Sequence, residues 1–234
     1  MDRPDAVAAI AARHAVRHYL ATPVPPEVRA ELDATAVRLN GEYGLAMRLF
    51  YDEPEGFRGG LAHYGSFRGV RNYLLLAGSE RAGLATACGY AGEQVVLLAQ
   101  HLGLNSCWVG LTYNKRKAQA QLGPDDTLVL AVALGYGVDA GKPHRSRPVD
   151  ELGCVQGGGT MPDWFRAGLE AVALAPSGLN RQGTTFVLAG DVVRAEPGRG
   201  TYARIDLGIA MAHFEAGAEG GPWRWETPVT GSGL

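Results

Sequence analysis

The residues of this chain that could do chemistry fall into four short stretches. Arg13 and Arg17 are spaced four apart, which on a helix puts both guanidinium groups on one face. Two such groups suit a phosphate, because each offers a fork of charged donors. Two solvated surface arginines fit the same spacing, and on spacing alone that plainer reading is favoured. Ser177, Asn180 and Gln182 share the loop Ala175–Gln182. Their polar groups can hydrogen-bond the edge of a heteroaromatic ring or build Asx- and Ser-type turns, and the two readings weigh evenly. Gly103, Leu104, Asn105 and Ser106 follow a long apolar run. Glycine there permits close backbone approach to a flat ligand; a glycine helix end followed by a core strand is the simpler account. Lys142, Arg145 and Arg147 lie in the basic stretch Gly141–Pro148, which either adds cations to a phosphate or stays solvated, the second being favoured taken alone.

The usual signatures of other chemistry are missing, and a catalytic or redox-sensing thiol is the lesser reading of the cysteines. Gly135, Gly137 and Gly141 follow a strand pattern, but no helix opens there and prolines follow, so they are not a dinucleotide fingerprint. There is no GxxxxGK[ST], HExxH or GxSxG. Cys88, Cys107 and Cys154 form no CxxC pair and have no histidine at metal spacing. Their odd, sparse count suits a reducing cytoplasm. Cys107, in an apolar Cys-Trp-Val run, reads as a small buried hydrophobe. His213, inside a helical pattern, reads as structural rather than as a ligand. With 22 basic and 24 acidic residues the net charge is −2, so neither nucleic acid nor a membrane surface is expected as a partner. The run Ala6–Ala12 is short and flanked by Asp2, Asp5 and Arg13, which is not the pattern of a signal peptide. Its 234 residues, 46% apolar, can build a core that needs no disulfide or metal.

These stretches need elements to position them. Asp5 caps a helix expected to run to about Tyr19, and prolines 23, 25 and 26 lead into a second helix from Glu27 to about Leu39, broken by Gly41 and Gly44. Strands are expected at Leu45–Tyr51, Val70–Ala77 and Asn105–Gly110, with a glycine-rich loop at Glu55–Ser66. Gly89–Leu102 is apolar all round and should be a central helix. Leu128–Leu134 is apolar on both faces and should be a central strand. Lys115-Arg116-Lys117 reads as a solvated helix face. Gly135–Thr160 is a long connection; Pro162–Ala175 and Ile205–Ala218 are helices, with a strand at Thr184–Ala189 and a loose tail from Thr227. The alternation predicts an α+β fold, a mixed and largely antiparallel sheet packed with helices.

In order, these motifs resemble those of nitroreductase-like flavoproteins. Arg13-His14-Ala15-Val16-Arg17 looks like that family's Arg-Arg-Ser-x-Arg opening. Gly103-Leu104-Asn105-Ser106-Cys107-Trp108 is similar to its Gly-Leu-Gly-x-x-Trp passage. Leu134–Gly137 followed by Lys142–Pro148 resembles its closing strand and basic tail. Ala173–Gln182 resembles its Ala-Pro-Ser-x-x-Asn-x-Gln-Pro-Trp motif, the most specific of the four. The likeness spans roughly His14 to Glu215. Two positions depart: Ala15 stands where the family has Ser, and Gly183-Thr184 where it has Pro-Trp.

The motif order departs too, because the basic tail sits mid-chain and the Ala-Pro-Ser motif follows it. This resembles a branch of the family with two family-like halves in one chain, expected at 1–150 and 151–234. In the family, FMN sits at a homodimer interface; a fused chain needs one complete site, so each half can lose the other's motif. The resemblance implies a nitroreductase-like internal pseudo-dimer, either monomeric or further dimerised. It implies an FMN-dependent oxidoreductase in the cytoplasm, with NAD(P)H as donor and a nitro, quinone or related small molecule as acceptor. A biosynthetic flavin dehydrogenase, or a binding protein that has lost FMN, are the alternatives. The implied FMN residues are Arg13 and Arg17, helped by Arg145 or Arg147, at the phosphate. Ser177, Asn180 and Gln182 would meet the ring or ribityl chain, and the backbone of Gly103, Leu104, Asn105 and Ser106 would line the ring.

Overall fold

The structure, a computed structural model, describes residues 3–57 and 67–229. Its helices are α1 (Arg3–Ala12), α2 (Pro26–Tyr43), α3 (Leu84–His101), α4 (Lys115–Ala120), α5 (Asp163–Val172) and α6 (Ala203–Ala218). Its strands are β1 (Arg48–Phe50), β2 (Asn72–Ser79), β3 (Asn105–Val109), β4 (Asp126–Gly135), β5 (Gly153–Val155), β6 (Thr185–Ala189), β7 (Val192–Glu196) and β8 (Arg224–Trp225). The strands form two sheets, antiparallel β1-β2-β4-β3 and mixed β5-β6-β7-β8. The α+β class is as expected, with two sheets where one was expected. No helix among the described residues is long and apolar enough to cross a membrane.

β2 and β4 are central, and alternation divides their side chains between two cores. Leu74, Leu76, Val132 and Leu134 pack on α3, while Tyr73, Leu75, Ala131 and Ala133 pack under the segment carrying Val16 and Tyr19. In the second sheet Phe186, Leu188 and Val193 meet Phe165, Leu169 and Phe214 of α5 and α6. α3 is buried on nearly every side, as a helix apolar all round must be.

The first helix is shorter than expected. It ends at Ala12, and residues 13–20 run extended along the first sheet. Val16 N–H donates to Ser106 O at 3.0 Å, Tyr19 N–H to Arg68 O at 2.9 Å and Leu20 N–H to Tyr136 O at 2.8 Å. The β-branched and aromatic residues here have modest helix propensity, and tertiary hydrogen bonds override it. α2 runs through Gly41 and ends at Gly44, whose φ of 60° suits a glycine cap. The connection after Gly135 holds β5, while β7 and β8 add strands where none was expected. The expected loop at 55–66 lies mostly outside the described residues; Pro54–Phe57 is a 3₁₀ turn.

α3 and α6 cross in close contact. A Cβ added to Gly89 would lie 2.2 Å from the Ile205 carbonyl oxygen, and one added to Gly208 would lie 2.0 Å from that of Thr86. The contact is reciprocal, as across a two-fold axis: each helix offers a glycine to a carbonyl three residues before the other's glycine.

Candidate functional site

Beside this crossing lies a cavity of about 800 Å³, within the usual range for a small-molecule site. Its walls are the extended segment Arg13–His18, the end of β3 with the turn after it (Cys107–Thr112), Asp139–His144, the loop Pro176–Asn180 and the first turns of α6. Both expected halves therefore contribute.

Four of the eleven expected residues line it: Arg13, Arg17, Ser177 and Asn180. The two arginines reach it from extended backbone, not from a helix face. Arg13 is 3% exposed, and its Nε and Nη1 are buried without a hydrogen-bond partner. Arg17 is exposed at the wall.

The other seven lie outside the lining. Gly103 ends α3 with φ 84°, and Leu104 is core. Asn105 Oδ1 accepts from Gly137 N–H at 2.9 Å, and Ser106 O holds Val16. That passage fastens the arginine segment to β3. Arg147 donates from Nη1 to Gln182 O at 2.9 Å and pairs with Glu151. Arg145 O accepts from Asn180 Nδ2 at 3.0 Å and from Gln182 Nε2 at 2.7 Å. The basic stretch thus braces the loop through the Arg145 carbonyl and through the N–H and guanidinium of Arg147, and it is Lys142 and His144 that line the cavity. Gln182 is committed throughout: its N–H donates to Ser177 Oγ, its Nε2 also donates to Asn180 Oδ1, and its Oε1 accepts from Arg147 N–H.

The loop holds strain. Leu179, Asn180 and Gln182 have φ values of 57°, 53° and 47°, a region that non-glycine residues rarely occupy and that costs energy. Asp206 anchors it, accepting from Gly178 N–H at 2.9 Å. Burial raises the Asp206 carboxyl to about 6, against the lowering effects of that N–H and of Arg181. His144 is lowered by burial, and its Nε2 donates to Ala173 O at 3.1 Å, which fixes the tautomer. Burial also pushes up the Cys107 thiol, with Arg17 and Arg13 opposing. Leu111 and Leu179, 68% and 82% exposed, stand at the cavity wall.

A buried polar group that the motifs did not reveal lies behind Arg13. Glu93 of α3 is fully buried; its Oε2 accepts from Trp108 Nε1 at 2.8 Å, and its Oε1 lies 2.9 Å from His213 Nε2 and 3.9 Å from Arg13 Nε. His213 Nδ1 donates to Ala171 O at 3.0 Å. A lone carboxylate within an all-apolar helix was the available signal, because buried charges are paired.

A family model described as "Putative TM nitroreductase" matches residues 5–218. The crystal structure of a "putative nitroreductase" from Thermotoga maritima MSB8 superposes with a TM-score of 0.64 at 20% identity, covering 92% of this chain and 84% of that one. A "Putative NADH dehydrogenase/NAD(P)H nitroreductase" from Bacteroides thetaiotaomicron VPI-5482 gives a TM-score of 0.51 at 16% identity, covering 63% of this chain and 95% of that one. At these identities both comparisons speak to fold. No curated protein matches the chain in sequence. The family match runs through the arginine segment, both long helices and the strained loop, and the chain belongs to that nitroreductase family.

Proposed function

We propose that the chain is an FMN-dependent oxidoreductase that uses NAD(P)H to reduce nitro, quinone or related small molecules. The observation that carries this reading is Arg13: a buried guanidinium with two orphaned nitrogens, on the wall of a cavity that Arg17, Ser177 and Asn180 also line. Such donors call for an anionic or strongly accepting ligand. Lys142 adds a third fixed cation against Asp139 and Asp206, so the cavity suits a phosphate-bearing molecule.

The residues present fit FMN. Arg13, Arg17 and Lys142 would hold its phosphate, and Ala15, which lines the cavity, offers no hydroxyl there. The strained loop and the turn after β3 would flank the ring, with Ser177 Oγ free to donate. Bound FMN supplies electron transfer between a nicotinamide and an acceptor. The protein's part is to bind, orient and shield. Leu111 and Leu179 give the open wall an apolar surface for a planar acceptor. We read the chain as two halves, 1–150 and 151–234, sharing this one cavity; the reciprocal crossing of α3 and α6 supports that reading.

Purified protein should carry a flavin absorbance spectrum or acquire it on adding FMN, and should oxidise NADH or NADPH when given a nitroarene or a quinone. A folded chain that stays colourless and leaves FMN fluorescence unquenched overturns the flavin assignment.

A further inference from the structure

The buried group behind the cavity does more than join two helices. Ala171 O can only accept, so His213 Nδ1 carries a proton. A second proton must lie between His213 Nε2 and Glu93 Oε1. Whether it sits on nitrogen or oxygen, the pair is neutral as a whole. Each Glu93 oxygen then has its own hydrogen-bond partner, His213 or Trp108. Arg13, at 3.9 Å, is near enough to feel the carboxyl and too far to hydrogen-bond with it. Its charge is left uncompensated and buried, at the cavity wall.

The molecule contains its own comparison. On the other side of the crossing, Glu215 of α6 accepts from Trp225 Nε1 at 2.5 Å and from the Tyr90 hydroxyl of α3. The plan is the same: a carboxylate on one long helix, held by a tryptophan of the strand that follows it and by a ring donor from the other long helix. There the ring donor is tyrosine, and among the described residues no arginine or lysine pairs with Glu215. A tyrosine–glutamate joint therefore suffices to fasten α3 to α6. The histidine and the arginine are added only where the cavity is.

We propose that Glu93 and His213 are positioning residues: as a neutral hydrogen-bonded pair they seat the Arg13 guanidinium against the cavity and leave its charge for the ligand's anionic group. The proposal rests on the reading that Arg13 faces such a group. Glu93→Gln tests it, because the amide can donate to a neutral His213 Nε2 and still accept from Trp108, which preserves the fold. His213→Gln is the second variant, and Glu215→Gln is the control on the other joint.

FMN affinity is measured in a double-mutant cycle with Arg13→Ala. His213→Gln, which leaves a charged Glu93 carboxylate beside Arg13, should weaken binding about tenfold when Arg13 is present and less than about twofold in the Arg13→Ala background, since the effect passes through Arg13. Glu93→Gln keeps the pair neutral and should change affinity less than about twofold, and a loss of about tenfold there overturns the proposal. Glu215→Gln should lower melting temperature and leave affinity unchanged. Equal weakening in both backgrounds means a merely structural role and overturns the proposal. If wild type takes no FMN, the flavin reading fails and the cycle is run with inorganic phosphate, which decides the positioning role separately. A wild-type chain that binds neither overturns both. Should the variants not fold, nitrogen NMR of wild type decides: phosphate or FMN must shift the Arg13 Nε and His213 ring signals together, and an Arg13 shift alone overturns the proposal.

Discussion

Replacing Arg13 with methionine should pull stability and binding in opposite directions. The side chain is 3% exposed, and Nε and Nη1 have no hydrogen-bond partner. In the ligand-free chain this is a buried cation that the fold tolerates rather than one that stabilises it. Removing one member of a buried ion pair is ordinarily destabilising because the other charge is stranded. Here Glu93 keeps His213 and Trp108, so nothing is stranded. An apolar side chain of similar volume is then expected to be neutral or stabilising, by about 1–2 kcal/mol. For a chain of this size that raises the melting temperature by roughly 2–8 °C. In the FMN complex the same change removes charge-assisted hydrogen bonds of about 1.5–3 kcal/mol each, so one such bond weakens binding by roughly 10- to 150-fold. Thermal unfolding of the FMN-free protein and calorimetric titration with FMN measure the two effects independently. A methionine variant that melts clearly lower than wild type and binds FMN as tightly would refute the reasoning, because Arg13 would then be a stabilising core residue and not a ligand for the anion.

Asp206, raised to about 6 by burial, sets a pH signature. Its folded value lies above the unfolded one, so the folded state binds more protons between about 4 and 6 and stability falls as pH rises through that window. Asp206→Asn should melt higher than wild type at pH 7.5, with the gap closing towards pH 4; a gap independent of pH argues against a buried, titrating carboxyl. Asn180→Ala loses hydrogen bonds to Arg145 O and Gln182 and places alanine at a left-handed φ of 53°. Asn180→Gly loses the same bonds without the backbone penalty, so it should melt higher than the alanine variant by about 1 kcal/mol equivalent. Equal melting would mean that the strain at Asn180 is not felt. Finally, a site built within one chain requires one FMN per chain, and mixing Arg13→Ala with Asn180→Ala protein should restore no binding. Recovery of wild-type affinity in a fraction of sites would mean that partner chains share the site.

The sequence exposed the long elements and hid the site's fine geometry. α3, β4 and α6 were legible because buried elements need continuous apolar runs, as in Val95–Ala99 and Leu128–Leu134. Arg13 and Arg17 were legible as a pair, but for the wrong local reason. Spacing of four suggested a helix face, whereas hydrogen bonds to Ser106, Arg68 and Tyr136 draw the segment out straight. Gln182 looked like a ligand group because composition cannot say whether an amide faces inward or outward; in the fold, Ser177, Asn180, Arg145 and Arg147 use up its bonds. Arg145 and Arg147 lie outside the cavity lining, and a basic stretch does not reveal that the Arg145 carbonyl and the Arg147 N–H and guanidinium are turned to the loop. Strands β7 and β8 are short and partly exposed, and their pairing depends on partners far along the chain. Tyr202 and Asp206 belong to no motif; they reach the cavity only because the α3–α6 crossing brings the start of α6 there.

That crossing also explains how the described residues place two carboxylate joints at one helix contact, with a cavity beside the Glu93 joint. Gly89 and Gly208 let the helices touch at the backbone, so each helix carries a glutamate to a tryptophan on its own following strand. On the Glu93 side the extended arginine segment and the strained loop stand apart and leave about 800 Å³ between them. On the Glu215 side Tyr43 packs edge-on against Tyr90 with ring centres 5.5 Å apart, and Leu207, Met211 and Ala212 complete an apolar cluster with Trp225 and Val229 packed on it. A cation in that cluster would have no anionic ligand to meet and would incur its burial cost without return. A tyrosine fills space and donates one hydrogen bond, which is all the second joint requires. The His213-for-tyrosine difference and the placement of Arg13 are therefore linked. Basic groups accumulate at the joint that faces the cavity, and aromatic ones at the joint sealed by the chain's own side chains.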